Sequence, residues 1–200
     1  VRGRTALEVA LALLVFVGGG LIGTGVTFLS VDRTPEPVPA PVISGFPDCG
    51  QDIPNVHESY RDLYRAAAAA TDHGPTACQL ARQGWFESQW KPDVVSPAGA
   101  VGIAQFEPPT ARDYGIDPRV PEEAISAQAR YMAHLMGVFN HYHRTPADVF
   151  SLALASYNHG IGNMLKNQRR NGWITWAEAR PHMPKETQDY VRRITRGQVS

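Results

Sequence analysis

The sequence predicts an all-α domain preceded by one transmembrane helix and a proline-rich linker. Three observations carry this: an uncharged apolar run near the amino end, a tract with proline at every second position, and apolar stripes at helical spacing beyond it. No convincing alternating strand pattern and no internal repeat occur. In residue numbers, 1–8 read as a cytoplasmic N-terminus, 9–31 as the span, 32–53 as the linker and 54–200 as the folded domain.

From Val9 to Val31 no charged residue occurs. At ~1.5 Å per residue such a helix is ~34 Å long, enough for a hydrocarbon core of ~30 Å. Arg2 and Arg4 precede it, and basic flanks stay on the cytoplasmic side. The reading taken is an uncleaved, single-pass anchor in the cytoplasmic membrane, with the domain on its outer or periplasmic side. A cleaved signal peptide processed near Gly23–Gly25 is the alternative, but the apolar run is longer than the usual signal core. TPEPVPAPV, Thr34 to Val42, follows. Fixed φ and missing N–H donors make it extended and semi-rigid, a spacer.

In the folded part, Pro54 opens a first helix running to about Asp72, with Val56, Tyr60, Leu63, Tyr64 and Ala67 on one face and His73-Gly74-Pro75 as its stop. A second helix runs from about Thr76 to Gln89 and carries Leu80, Trp85 and Glu87. Pro121, followed by Glu122 and Glu123, marks a helix start with acids at the positive dipole end. Ile125, Met132, Leu135, Met136 and Phe139 form its stripe. Asp148 caps the helix DVFSLALASYN. Thr175 and Glu178 form a capping box, and Pro184 opens a last helix with Thr187, Tyr190, Val191 and Ile194 on one face.

Composition narrows function. The chain has 19 basic and 19 acidic residues, with no basic run interleaved with aromatics, so nucleic acid is not an expected partner. From Asn163 onward eight Lys/Arg face three Asp/Glu, a mild excess that is either a solvated face or suited to an anionic substrate. Cys49 and Cys78 are the only cysteines. In an exported domain such a pair forms a disulfide more often than not, the alternative being two buried thiols. The histidines His134, His141 and His143 lack convincing ligand spacing, and no metal or cofactor is expected.

One stretch poses a chemical question. WFESQW, Trp85 to Trp90, sets a carboxylate among three aromatic rings. Glu87 is either a surface residue beside rings buried elsewhere, or an acid kept protonated by an apolar environment. FESQW is followed by SPAGAVGIAQFEPPTARDYG (Ser96 to Gly115), ALASYNHGIGNM (Ala153 to Met164) and ETQDYVRRI (Glu186 to Ile194). This ordered set resembles the soluble lytic transglycosylase catalytic domain, a branch of the lysozyme-like α fold, over about Asn55 to Arg196. Departures are Ile103-Ala104 where Leu-Met is usual, His159 where a small residue is usual, and Gln89-Trp90 in place of a polar-Phe pair.

The resemblance implies an enzyme that cleaves the MurNAc–GlcNAc β-1,4 bond of peptidoglycan glycan strands and leaves 1,6-anhydromuramic ends. One glutamate, Glu87, serves as acid and then base. Protonating a poor leaving oxygen demands an acid that still holds its proton near neutral pH, and burial raises a glutamate toward that range. Ser96, Gln105, Tyr157 and Asn158 are implied as substrate-binding residues. Tyr190 is expected to line the groove, with core packing the alternative. Asp93, Glu107, Asp113 and Asp117 fall in no position the family uses for a second acid. Two other functions stay open: hydrolysis in the manner of goose-type lysozyme, and a non-catalytic wall-binding component. Partners in an envelope-spanning or phage machine fit a short-tethered domain of this kind.

Overall fold

The computed structural model describes residues 49–50, 53–140 and 144–196. The expected N-terminal segment, the span at 9–31, the linker (apart from Cys49, Gly50 and Ile53), His141 and His143 lie outside the described residues. Among the described residues no helix is long and apolar enough to cross a membrane. The described residues form eight α-helices: α1 Glu58–Ala69, α2 Ala77–Ser88, α3 Pro108–Tyr114, α4 Pro121–Phe139, α5 Pro146–His159, α6 Ile161–Asn171, α7 Trp176–Ala179 and α8 Lys185–Thr195. A 3-10 turn, Arg180–His182, follows α7. The described residues contain no named strand, only isolated bridges joining Val95, Val101 and Phe106.

Helix α5 organises the rest. Its residues Val149 to Ser156 are buried in an unbroken run, as expected of a helix that is apolar on all sides. Helices α4, α6 and α8 pack on it, while α1 packs on α4 and α2. The core has two lobes. One gathers Tyr64, Leu80, Trp90 and Ile125, the other Met132, Leu152, Met164 and Ile194. Phe86 and Tyr131 pack against both lobes and mark the seam between them.

Most helix starts follow the expected chemistry. Pro121 is in the first turn of α4, with Glu122 and Glu123 beside it. Thr175 and Glu178 form the capping box of α7. Thr76 caps α2 through a reciprocal pair with Gln79. Two starts differ from expectation. Helix α1 begins at Glu58 rather than Pro54, because His57 caps it: the imidazole Nδ1 accepts from the Ser59 N–H. It also stops at Ala69, where the Thr71 hydroxyl folds back onto the Ala68 carbonyl. Helix α5 begins at Pro146, and Thr145, not Asp148, is its cap, its hydroxyl oxygen accepting from the Asp148 N–H at 3.1 Å. Asp148 instead reaches α7, where its carboxylate accepts from the Trp176 N–H at 3.0 Å.

Two glycines allow close approaches. A Cβ on Gly84 would lie 2.3 Å from the Tyr64 hydroxyl, so only glycine lets α2 sit this close to α1. Gly102 has φ +82, and a Cβ there would lie 1.7 Å from the Pro118 carbonyl oxygen.

Cys49 and Cys78 form a disulfide with a Cα–Cα distance of 5.1 Å. Cys78 lies in the first turn of α2, nine residues (87 − 78) before Glu87, hence two and a half turns away and on the opposite face. Replacing both cysteines by serine is expected to cost about 3–4 kcal/mol of stability by the loop-entropy relation. Specific activity per folded molecule should stay near wild type. Urea denaturation alongside active-site-normalised rates checks both halves, and unchanged stability would show that the bridge contributes nothing.

Candidate active site

Glu87 is the penultimate residue of α2, which ends abruptly because Gln89 and then Trp90 take left-handed backbone (φ 56 and 60). That turn sends Trp90 back under its own helix. Its indole N–H donates to the Ala81 carbonyl at 2.8 Å, and its ring packs on Trp85 with centroids 5.0 Å apart. Phe86 lies under the Arg82 guanidinium, 5.9 Å from the ring centroid. The rings of WFESQW thus brace the end of α2 and also pack into the core, Phe86 against both lobes. The hydrogen bond to the Glu87 carboxyl comes from later in the chain.

Tyr190 of α8 donates its hydroxyl to Glu87 Oε1 in a short hydrogen bond. Tyr157, at the end of α5, feels the Glu87 charge. Burial raises the Glu87 carboxyl to about 7 from the ordinary 4.5, and the Tyr190 hydrogen bond pulls back in the other direction. The position of Glu87 at the negative end of α2 acts in the same direction as burial. Both tyrosines are pushed well above 10, by burial first and then by the carboxylate. They therefore remain neutral and can donate.

Glu87 opens into a cleft of about 460 Å³ along the seam. Of the sequence-predicted set, Ser96, Gln105, Tyr157 and Asn158 line it together with Glu87. Tyr190 does not; it stands behind the carboxyl. Glu107, Thr110, Tyr131, His159, Asn163 and Glu186 complete the walls.

The loop 94–106 makes one wall, and its shape is held by the residues expected to touch substrate. Ser96 Oγ accepts from the Ala100 N–H at 3.0 Å. Gln105, itself at φ +51, donates its amide to the Gly102 and Val94 carbonyls at 2.9 and 3.3 Å. The Tyr157 hydroxyl donates to the Ala104 carbonyl at 2.7 Å. Ser88 Oγ donates to the Ile103 carbonyl at 2.9 Å and so pins this loop to the end of α2. Across the cleft, Asn158 Oδ1 accepts from the Thr187 hydroxyl at 2.8 Å, joining α5 to α8. Tyr131 faces Tyr157 at 5.2 Å between centroids.

Sequence reasoning passed over Tyr131, Gln83 and Gln128. The last two carried a signal: each is an amide on an otherwise apolar stripe, Leu80–Gln83 on α2 and Ile125–Gln128–Met132 on α4. Both are fully buried. Among the described residues no group of three or more His, Cys, Asp or Glu is placed to hold a metal ion.

The family model described as "Transglycosylase SLT domain" matches residues 65–178. The chain belongs to this family. Among curated relatives of this SLT-domain chain, "Membrane-bound lytic murein transglycosylase F" of Yersinia pestis is 34% identical over 176 residues, 74% of this chain and 34% of that protein. "Membrane-bound lytic murein transglycosylase F 1" of Alkalilimnicola ehrlichii is 34% identical over 137 residues, covering 62% and 26%. The chain thus spans between a quarter and about a third of the length of these relatives. Among solved structures, the 70 kDa soluble lytic transglycosylase of Escherichia coli superposes with a TM-score of 0.55 at 22% identity, over 68% of this chain and 22% of that one. The all-helical architecture of the SLT domain is therefore that of a lysozyme-like fold.

The raised carboxyl has a thermodynamic consequence. The folded pKa of Glu87 lies above its unfolded value, so the folded chain keeps a proton that the unfolded chain has already released. Stability from this group is full below about pH 4.5 and is lost as pH rises through about 7. The full shift corresponds to roughly 3 kcal/mol, and cleft water reduces it. Glu87→Gln cannot ionise, so the variant should gain roughly 2 kcal/mol relative to wild type between pH 5 and pH 7.5. Denaturant melts at the two pH values measure this, and a pH-independent difference would return Glu87 to the ordinary carboxylate range.

Proposed function

We propose that the chain is a peptidoglycan lytic transglycosylase, acting on the MurNAc–GlcNAc β-1,4 bond through Glu87 alone as acid and then base. The observation that carries this reading is a single desolvated carboxyl, near pKa 7, opening into a cleft lined by the residues that the family resemblance implies. Protonated Glu87 gives its proton to the glycosidic oxygen as the bond from the anomeric carbon breaks. The substrate's 2-acetamido group supports the positive charge. The muramic C6 hydroxyl then forms a bond to the anomeric carbon and releases its proton to the Glu87 carboxylate. One C–O bond breaks, one forms, and no water is consumed. Ser96, Gln105, Tyr157 and Asn158 bind the sugar, each with hydrogen-bonding capacity beyond what it spends on the wall.

Hydrolysis has one observation in its favour: Glu107 and Glu186 also line the cleft. Both are exposed, whereas Glu87 is half-buried. Products separate the two readings. Glycan fragments should carry 1,6-anhydro ends, one water lighter than hydrolysis products, and Glu87→Gln should lower turnover by at least ~10³-fold while retaining wall binding. Incorporation of solvent ¹⁸O at the new end would establish hydrolysis instead.

The same proposal places the domain on the outer side of the cytoplasmic membrane, with residues 9–31 as its anchor and 32–53 as a spacer that limits its reach to nearby wall strands. Assembly with an envelope-spanning or phage machine fits such a tether. The names of the relatives, which describe membrane-bound proteins, support this placement. The full chain should sediment with membranes, and deleting residues 9–31 should release it. Sedimentation unchanged by that deletion would refute the anchor.

A further inference from the structure

Behind Glu87 a chain of buried amides runs in one direction only. Gln128 Nε2 donates to the Leu80 carbonyl at 3.2 Å and to Gln83 Oε1 at 3.0 Å. Gln83 Nε2 donates to the Tyr190 hydroxyl oxygen at 3.1 Å. Tyr190 donates to Glu87 Oε1. The Leu80 carbonyl can only accept, so it fixes which end of the Gln128 amide faces α2. Gln128 then offers Gln83 a donor. Turning the Gln83 amide over would set its NH₂ against that of Gln128, so its NH₂ must face Tyr190. With a lone pair of Tyr190 taken by Gln83, the one phenolic proton is left for Glu87.

We propose that Gln83 and Gln128 are positioning residues that orient the Tyr190 hydroxyl as an obligate donor to Glu87 Oε1, leaving Oε2 as the oxygen that holds the exchangeable proton. This rests on the transglycosylase reading above. The amides are poor choices for stability alone: Gln128 Oε1 is buried without a hydrogen-bond partner, a cost an apolar side chain of the same shape would remove. Their value lies in direction. A glutamate that donates and then reclaims a proton works best when one oxygen is held out of the exchange. Near the carboxyl, the titratable groups are Tyr190 on α8 and Tyr157 on α5, while Glu107, Tyr131, His159 and Glu186 lie along the cleft.

The test compares the full chain with Gln83→Met, Gln128→Met, Tyr190→Phe and the pair Gln83→Met/Tyr190→Phe. The Glu87 carboxyl is titrated by ¹³C NMR on glutamate-labelled protein, with Glu87→Gln assigning the resonance, and kcat/KM on purified peptidoglycan is followed against pH. A weakened donor favours the protonated acid, so each amide variant should raise the Glu87 midpoint by about half to one pH unit, with melting temperature unchanged or higher. The alkaline limb of kcat/KM should move with it. In the Tyr190→Phe background, Gln83→Met should add no further shift. Gln128 reaches Tyr190 only through Gln83, so Gln128→Met leaves the groups that touch Tyr190 in place and decides the matter if Gln83→Met does not fold. An unmoved midpoint in the amide variants, or an equal shift without the tyrosine hydroxyl, overturns the proposal. Failure of the wild type to cleave wall would overturn the transglycosylase reading, while the NMR titration would still decide this one.

Discussion

An acid that keeps its proton near neutral pH needs a setting poor in water and free of nearby cations, and this need governs how α2, α5 and α8 meet. The difficulty is that α2 also carries a buried cation. Arg82 is 1% exposed and lies five residues before Glu87. Five residues turn the helix by ~140° beyond a full turn, which sends the two groups to different sides. The guanidinium donates to the Ile194 and Arg193 carbonyls at 2.7 and 2.9 Å and to the Cys49 carbonyl at 2.9 Å. Two of these acceptors belong to the last turn of α8, whose carbonyls have no partner within the helix. Arg82 thus clamps the C-terminal end of α8 onto α2. The same helix pair is joined again by Tyr190 and Glu87. The clamp and the acid share two helices yet stay electrostatically apart.

The cleft wall shows a related economy. Ser96, Gln105 and Tyr157 each hold a backbone group of the 94–106 loop or its neighbourhood, and each keeps something in reserve. Ser96 accepts, so its O–H can donate. Gln105 donates with its NH₂, so its Oε1 can accept. Tyr157 donates, so its oxygen can accept. Residues that carry both tasks couple wall shape to ligand binding, and deleting one removes a contact and distorts the loop together. Single substitutions in this wall therefore overstate the energy of any one contact.

Local chemistry made much of the fold legible. Proline followed by acids at Pro121 and the Thr175–Glu178 box each report a backbone requirement through their own side chains. Helix starts failed where two acceptable caps lay within a few residues. Asp148 is a good cap by type, but Thr145 followed by proline is better placed, and the choice is settled by Asp148 being needed at Trp176. The short helix α3 and the polar helix α6 offered no apolar stripe to read. At the site, the blocks named Glu87, Ser96, Gln105, Tyr157 and Asn158, because their spacing is local to a family pattern. The position of Tyr190 behind the carboxyl was not legible, since its partner lies 103 residues away in sequence.

Burying polar groups this deeply is a net expense for a small domain. Gln83 and Gln128 sit where apolar side chains would stabilise more, the half-buried Glu87 carries the cost of its desolvation, and the Tyr64 hydroxyl is also buried without a partner among the described residues. Gly84 adds the backbone-entropy penalty of glycine inside a helix, roughly 0.5–1 kcal/mol. Three of these penalties, at Gln83, Gly84 and Glu87, fall on α2, and so does the reinforcement: the Thr76–Gln79 capping box at its start, the disulfide at Cys78 and the Arg82 clamp through its middle. The distribution explains why the disulfide lies far from the chemistry yet on the same helix. A brace at the cleft would have to share space with substrate, whereas a brace on the opposite face of α2 holds Glu87 in register and leaves the cleft clear.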